Sequence, residues 1–276
     1  MSIGANCPET FESGKRVDVA GAGAYRHFMS DPRLYCEHSL SDGASVSPSR
    51  EESHYLVSVM RRKIGDKVIF FNAKDGEWSA RIVTADRKTV TLTVETLQRA
   101  PQSVPDLELL FAPVKKSRTD FIVEKATELG VRHIRPVLTR RTIVDKVRID
   151  RLSALAREAA EQTERFDLPK ISEAEKLDAV LRDWPNDRML IFCDEAGDAM
   201  PMLEALRDRA TSKAAILIGP EGGFTTEERA QIRALPVTLP VSLGPRILRA
   251  DTAAAAALTI WQSVCGDWTG GAQPRE

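Results

Sequence analysis

A chain of 276 residues is long enough for about two domains, and 42% hydrophobic with 29% charged residues sets it among ordinary soluble globular proteins rather than disordered or membrane-embedded ones. A formal net charge of -1 argues against a global affinity for polyanions, yet the stretch 115–151 holds 11 Lys or Arg against 5 Asp or Glu. Such a basic patch suits a local anionic partner such as RNA, although a solvated helix face would look the same.

Residues 1–30 are rich in Gly, Ala and Ser without a clear period and read as a weakly ordered extension. They contain no apolar stretch long enough for a signal peptide. From 31 to 100 the texture turns to short alternating runs. The stretch "DKVIFFNAKDGEWSARIVTADRKTVTLTVETL" predicts three strands, with "KDGE" as a hairpin signal. Ahead of it, "SREESHYLVSVMRR" predicts one short helix capped by Ser49 or Ser53. Together these predict a small barrel-like β domain. The two prolines near residues 101–106 mark a linker.

Residues 107–276 alternate between strands and helices. "LELLFAPV", "HIRPVLT", "RMLIFCDE", "KAAILIGP" and "PVTLPVSLG" are expected strands. Between and after them, "SRTDFIVEKATELGV", "RIDRLSALAREAAEQTERF", "AMPMLEALRDRA", "TTEERAQIRAL" and "ADTAAAAALTIWQSV" are expected helices. This alternation predicts a mainly parallel sheet with helices on both faces. No apolar run approaches the roughly 20 residues needed to cross a bilayer. The four cysteines (Cys7, Cys36, Cys193, Cys265) form no C-x-x-C pair, which argues against a zinc site or disulfide framework and fits a reducing cytoplasm. Cys36 and His38 lack a second ligand pair, so no metal is expected.

Two strand ends stand out. "LIGPEGGFTTEE" stops a buried strand with G-x-x-G-G, which is neither the dinucleotide fingerprint nor the phosphate loop. "VSLGPRILRADTAA" repeats the order of strand, Gly-Pro, charged turn and helix. A tight turn before a helix would explain either alone. Two such ends at the carboxyl side of a parallel sheet could instead cradle a nucleoside-like ligand through backbone groups. Neither loop holds a lysine, which argues against a triphosphate. Thr225 or Thr226 can cap the first helix, with Glu228 close behind, and Asp251 or Thr252 the second.

These two loops resemble the signature loops of the RsmE family, SPOUT-class methyltransferases of uridine N3 in 16S ribosomal RNA. "KKSRTDFIVEKATELGV", "RPVLTRRTIV", "REAAEQTERFDLP" and the segment from "PRLY" through "HYLVSVMRRKIGDKV" resemble further blocks of the family in the same order. Departures occur in "EQTERFDLP", with Thr-Glu where Ser or Cys then Gly is usual, and in "LRADTA", with Ala-Asp where Thr-Glu is usual. The first 30 residues match nothing in it. The resemblance implies a PUA-like RNA-binding domain followed by a SPOUT-type parallel sheet with a C-terminal trefoil knot. It also implies a cytoplasmic homodimer that uses S-adenosylmethionine (SAM) on 16S rRNA, within the assembled small ribosomal subunit, with no membrane partner.

On this basis the expected SAM pocket comprises Leu217, Ile218, Gly219, Pro220, Glu221, Gly222, Gly223, Leu243, Gly244, Ile247, Leu248 and Arg249. Arg249 and Arg246 are expected to orient the uracil and to stabilise negative charge on its carbonyls, being too basic to take a proton. Asp251 or Glu221 is the candidate proton acceptor; a helix cap and a backbone-bonding turn residue are their respective alternatives. Candidate RNA phosphate contacts are Lys115, Lys116, Arg118, Arg140, Arg141 and Arg165, with Arg33, Arg61 and Arg62 in the β domain. Two rival readings remain, an RNA-binding protein without catalysis and a small-molecule enzyme that holds a nucleotide.

Overall fold

The computed structural model describes residues 31–270, apart from 87–88, 145, 196–197, 208 and 210–212. The expected extension at 1–30 therefore lies outside the described residues.

The β-rich part consists of β1 (Arg33–Tyr35), β2 (Ser45–Val46), α1 (Arg50–His54), β3 (Lys67–Asn72), β4 (Gly76–Ala85) and β5 (Val90–Arg99). They form one sheet of order β1-β3-β4-β5-β2, antiparallel except for the β1–β3 pair. The hairpin signal folds as a tight turn. Asn72 Oδ1 accepts from the Lys74 and Asp75 backbone N–H groups at 3.0 and 2.7 Å, and Gly76 takes φ +85°. A Cβ on Gly76 would lie 2.3 Å from the Arg99 carbonyl, so glycine also permits the close β4–β5 approach. Register shifts between β4 and β5 curl the sheet around a core that includes Leu56, Val68, Phe70, Ile82 and Leu92.

Of the two serines weighed as caps, Ser49 caps α1, in a capping box with Glu52. Ser53 is buried instead, and its Oγ accepts from the Val90 N–H. The helix runs on as a π-helical turn, Tyr55–Val59, that buries Leu56.

The second part follows as β6 (Asp106–Phe111), α2 (Lys116–Glu128), β7 (His133–Leu138), α3 (Ile149–Gln162), β8 (Lys170–Ile171), β9 (Glu175–Lys176), α4 (Leu177–Arg182) and β10 (Met189–Cys193). It continues with β11 (Met200–Pro201), α5 (Met202–Leu206), β12 (Lys213–Ile218), α6 (Thr226–Ala234), β13 (Thr238–Ser242) and α7 (Ala250–Val264), ending in a 3₁₀ turn. The sheet order is β11-β13-β10-β12-β6-β7-β8, with β9 also against β7, and every pair is parallel. β8, β9, β11 and α4 were not among the expected elements. They are too short, at 2 to 6 residues, to show a period.

Strand periodicity divides β12 between two cores. Ile216 and Ile218 face α2, α5 and α7, whereas Ala215 and Leu217 face α4 and α6. Covering both faces explains the continuous apolar run in "AAILI". Thr225 caps α6 in a capping box with Glu228. The cap expected at Asp251 or Thr252 is not formed. α7 begins at Ala250, so Arg249, two residues ahead of Asp251, occupies the capping position without a side-chain bond, and Asp251 sits in the first turn with Oδ1 accepting from Thr252 N at 3.0 Å.

Candidate active site

The carboxyl ends of β10, β12 and β13 open into a cleft of about 860 Å³, large enough for a nucleoside-sized ligand. Its floor is the turn after β12 and its opposite wall the turn between β13 and α7. Gly223 takes φ +68°, and its N–H donates to the Pro220 carbonyl at 2.9 Å. A left-handed turn of this kind points backbone groups at the cavity, and an L side chain there is strained.

Three contacts hold the glycine turn. Phe224 packs edge-on against Phe192 in the core. Arg141 donates to the Gly222 carbonyl at 2.7 Å. Glu228 is 1% exposed, and its carboxylate accepts from Arg140 N at 2.7 Å and Thr225 N at 2.9 Å. The basic loop after β7 is thereby fastened to the glycine turn.

Of the residues expected to hold a cofactor, Ile218, Gly219, Pro220, Glu221, Gly222, Gly223, Leu243, Gly244, Ile247, Leu248 and Arg249 all line the cleft. Leu217 does not; its side chain belongs to the core beneath α4 and α6. Arg246 also lines the cleft, and both it and Arg249 are exposed. Asp251 is not among the lining residues.

The expected phosphate contacts separate into two groups. Lys115, Lys116, Arg140 and Arg141 are exposed near the mouth, while Arg118 lines the cleft itself and pairs with Glu221. Arg61 is exposed at the end of the π turn with φ +54°, and Arg62 lies 3.8 Å from Asp31. Arg165 and Arg33 are placed otherwise. Arg165 is 8% exposed and donates to the carbonyls of Thr127 and Val131 and to Asp167. Arg33 donates to Glu77 and to the carbonyls of Ala160 and Arg165, with its guanidinium 3.5 Å above the Phe71 ring. Both guanidinium groups are spent on the protein's own acceptors, which corrects the expectation that they meet phosphate.

Sequence reasoning missed Cys193, Asp194, Glu195 and Ser242, which also line the cleft. Burial pushes the Cys193 thiol up to about 12, so it is not a thiolate nucleophile at neutral pH. The available signal was position: "CDE" ends a parallel strand, where ligands of such sheets gather.

A curled β domain ahead of a parallel α/β domain with a two-loop cleft at its strand ends is the architecture expected of a SPOUT-class methyltransferase with a PUA-like domain. The RNA methyltransferase domain profile matches residues 101–262, and the RNA methyltransferase PUA domain profile matches 48–95. The chain belongs to this RNA methyltransferase family, within its RsmE group. Ribosomal RNA small subunit methyltransferase E of Rickettsia conorii is 30% identical over 232 residues, covering 83% of this chain and 94% of the relative. Among solved structures, a methyltransferase from Legionella pneumophila in complex with SAM superposes with a TM-score of 0.77 at 28% identity, covering 86% of this chain and 99% of that one. Ribosomal RNA small subunit methyltransferase E from Neisseria gonorrhoeae bound to S-adenosyl methionine gives 0.76 at 27% identity, covering 87% and 100%.

Proposed function

We propose that this chain is a SAM-dependent methyltransferase that modifies N3 of a uridine in 16S rRNA. The observation that carries the reading is the cleft itself, a glycine turn and a second strand-end turn facing one another beneath exposed arginines. The residues fit SAM. The turn at 219–223 and the segment 243–248 would hold the nucleoside with backbone groups, and Ile218, Leu243 and Leu248 supply apolar walls. Bound SAM supplies an electrophilic methyl group on a sulfonium.

Uridine N3 must lose its proton before its lone pair is available, and the resulting charge spreads onto both carbonyl oxygens. Arg249 and Arg246, exposed on the cleft wall, orient the uracil and stabilise that charge. Of the two carboxylates weighed as proton acceptor, Glu221 lines the cleft, whereas Asp251 stands in the first turn of α7. Glu221, steered by Arg118, is therefore the better-placed acceptor.

Lys115, Lys116, Arg140 and Arg141 beside the mouth suit the phosphates of an RNA, and Arg61 extends the basic surface onto the β domain, whereas Arg62 is mostly buried beside Asp31. Ile247 at 90% exposure and Met200 at 56% are apolar side chains that a homodimer would cover. Strand order supports the knot. β13 lies between β10 and β11, and α7 returns to the α2 and α5 face, an arrangement in keeping with a C-terminal knot. No helix among the described residues is long and apolar enough to cross a membrane, in keeping with action on the small ribosomal subunit in the cytoplasm.

The test is mass mapping of methylated nucleosides in 16S rRNA from cells with and without the protein. One N3-methyluridine should vanish in its absence and return on incubating small subunits with the protein and SAM. An unchanged methylation map would remove the proposal.

A further inference from the structure

Glu195 follows β10 and lines the cleft. Its Oε1 lies so close to Gly223 that a Cβ built there would be 2.2 Å away. The other lining carboxylates are engaged, Glu221 by Arg118 and Asp194 by Arg229 and Arg233. Among the described residues the Glu195 side chain has no such cation.

Its backbone, in contrast, is anchored. The neighbouring Asp194 side chain is wholly buried and accepts from Arg229 Nε at 3.0 Å and Arg233 Nε at 2.9 Å, both on α6. Asp194 N also donates to Val241 O at 2.9 Å. Four guanidinium contacts on one buried carboxylate fix the chain just before Glu195 and leave the next carboxylate exposed to the cleft.

β10 and β12 are adjacent parallel strands. A glycine turn ends one and a free carboxylate ends the other. In dinucleotide-binding parallel sheets a glycine turn and an acidic side chain at the ends of neighbouring strands read the ribose hydroxyls, and the same juxtaposition stands here on a different glycine turn. A vicinal diol offers two donors on one side, and a carboxylate offers two acceptor oxygens. We propose that Glu195 binds the ribose diol of the cofactor nucleoside. Asp194, held by Arg229 and Arg233, is its positioning residue. The inference rests on the reading of the cleft as a SAM site.

Calorimetric titration of the full chain and of Glu195→Gln with SAM, 5′-methylthioadenosine and 2′-deoxy-5′-methylthioadenosine tests it. The substitution should weaken SAM and methylthioadenosine alike, by about 10- to 100-fold, the worth of a hydrogen bond to a charged group. Removing the 2′-hydroxyl should cost the wild type a similar factor and the variant little, because both changes delete the same contact. Equal methylthioadenosine affinity in the two proteins would overturn the assignment. So would weakening of SAM alone, which would turn the carboxylate towards the amino-acid end. Glu195→Asp, with the charge on a shorter arm, should bind between the two, and matching melting curves would locate the effect in the cleft. If the wild type bound neither SAM nor methylthioadenosine, the cleft reading itself would fail; tight SAM binding unaffected by Glu195→Gln would remove the Glu195 assignment alone.

Discussion

At Gly223, two constraints act on one atom position. A Cβ would strain the left-handed φ of +68°, a cost of about 1–2 kcal/mol, and would displace the Glu195 carboxylate. Glu195 is exposed and can swing away, so the fold should tolerate Gly223→Val while the cleft does not. We expect SAM affinity to fall by about tenfold or more with the circular dichroism spectrum retained. Unchanged affinity would put the cofactor elsewhere. Arg249 and the two carboxylates differ in what their removal should do. Arg249→Lys keeps the charge but loses the planar fork, and loss of such a donor typically lowers the rate by about 10²–10³. Glu221→Gln should slow single-turnover methylation, with partial recovery as rising pH favours the anionic uracil. Asp251→Asn should keep the wild-type profile, since its Oδ1 is engaged at Thr252 N and it does not line the cleft. A slow Asp251→Asn enzyme restored at high pH, beside an unaffected Glu221→Gln, would exchange the two roles.

Between elements, the β domain and α3 meet across a half-buried ionic seam. Glu77 on β4 accepts from Arg33 Nε at 2.7 Å and from Arg99 Nε and Nη2 at 2.8 and 2.7 Å. Arg33 extends to the carbonyl of Ala160 at the end of α3, and Arg99 to Glu164 just beyond. Burial alone would raise the Glu77 carboxyl, but hydrogen bonds from Arg99 and Arg33 outweigh it and hold the group below the usual range. The stabilisation is therefore present above the unfolded value near pH 4.3 and is lost as pH falls through the lower folded value. Glu77→Gln leaves two arginines partly uncompensated and should cost about 3 kcal/mol at neutral pH. Urea midpoints from about pH 3 to about pH 7 should show the acid-side loss in the wild type and a flatter profile in the variant. Parallel profiles would mean that Glu77 contributes no linked stability. The elements flanking this seam were readable because each carries a local signal, such as "KDGE" for the hairpin or the apolar spacing of α3. The seam was not readable, since Arg33 and its acceptor Ala160 are 127 residues apart.

Over the whole molecule, a net charge of -1 coexists with a basic surface beside the cleft and another on the β domain. If one RNA spans both, each phosphate contact releases counterions, and removing one should flatten the salt dependence by nearly one unit of slope. We expect this for Lys116→Ala and for Arg61→Ala when log affinity is measured against log salt, and little change for Lys170→Ala, exposed on a short strand against β7. Equal slopes in wild type, Lys116→Ala and Arg61→Ala would reduce both surfaces to solvated faces. The sequence by itself determined the parallel α/β alternation, the hairpin, the capping threonine choice to within one residue, and the two glycine turns. Each depends on periodicity or turn chemistry within about ten residues. Only the tertiary structure decided which charged groups face solvent. Arg118 and Arg165 are alike in sequence, yet one lines a cleft and the other is sealed among the carbonyls of Thr127 and Val131. Glu195 likewise meets Gly223 because β10 and β12 are neighbours. Strand order is a non-local choice, made by covering both sheet faces at once, and no short stretch of residues encodes it.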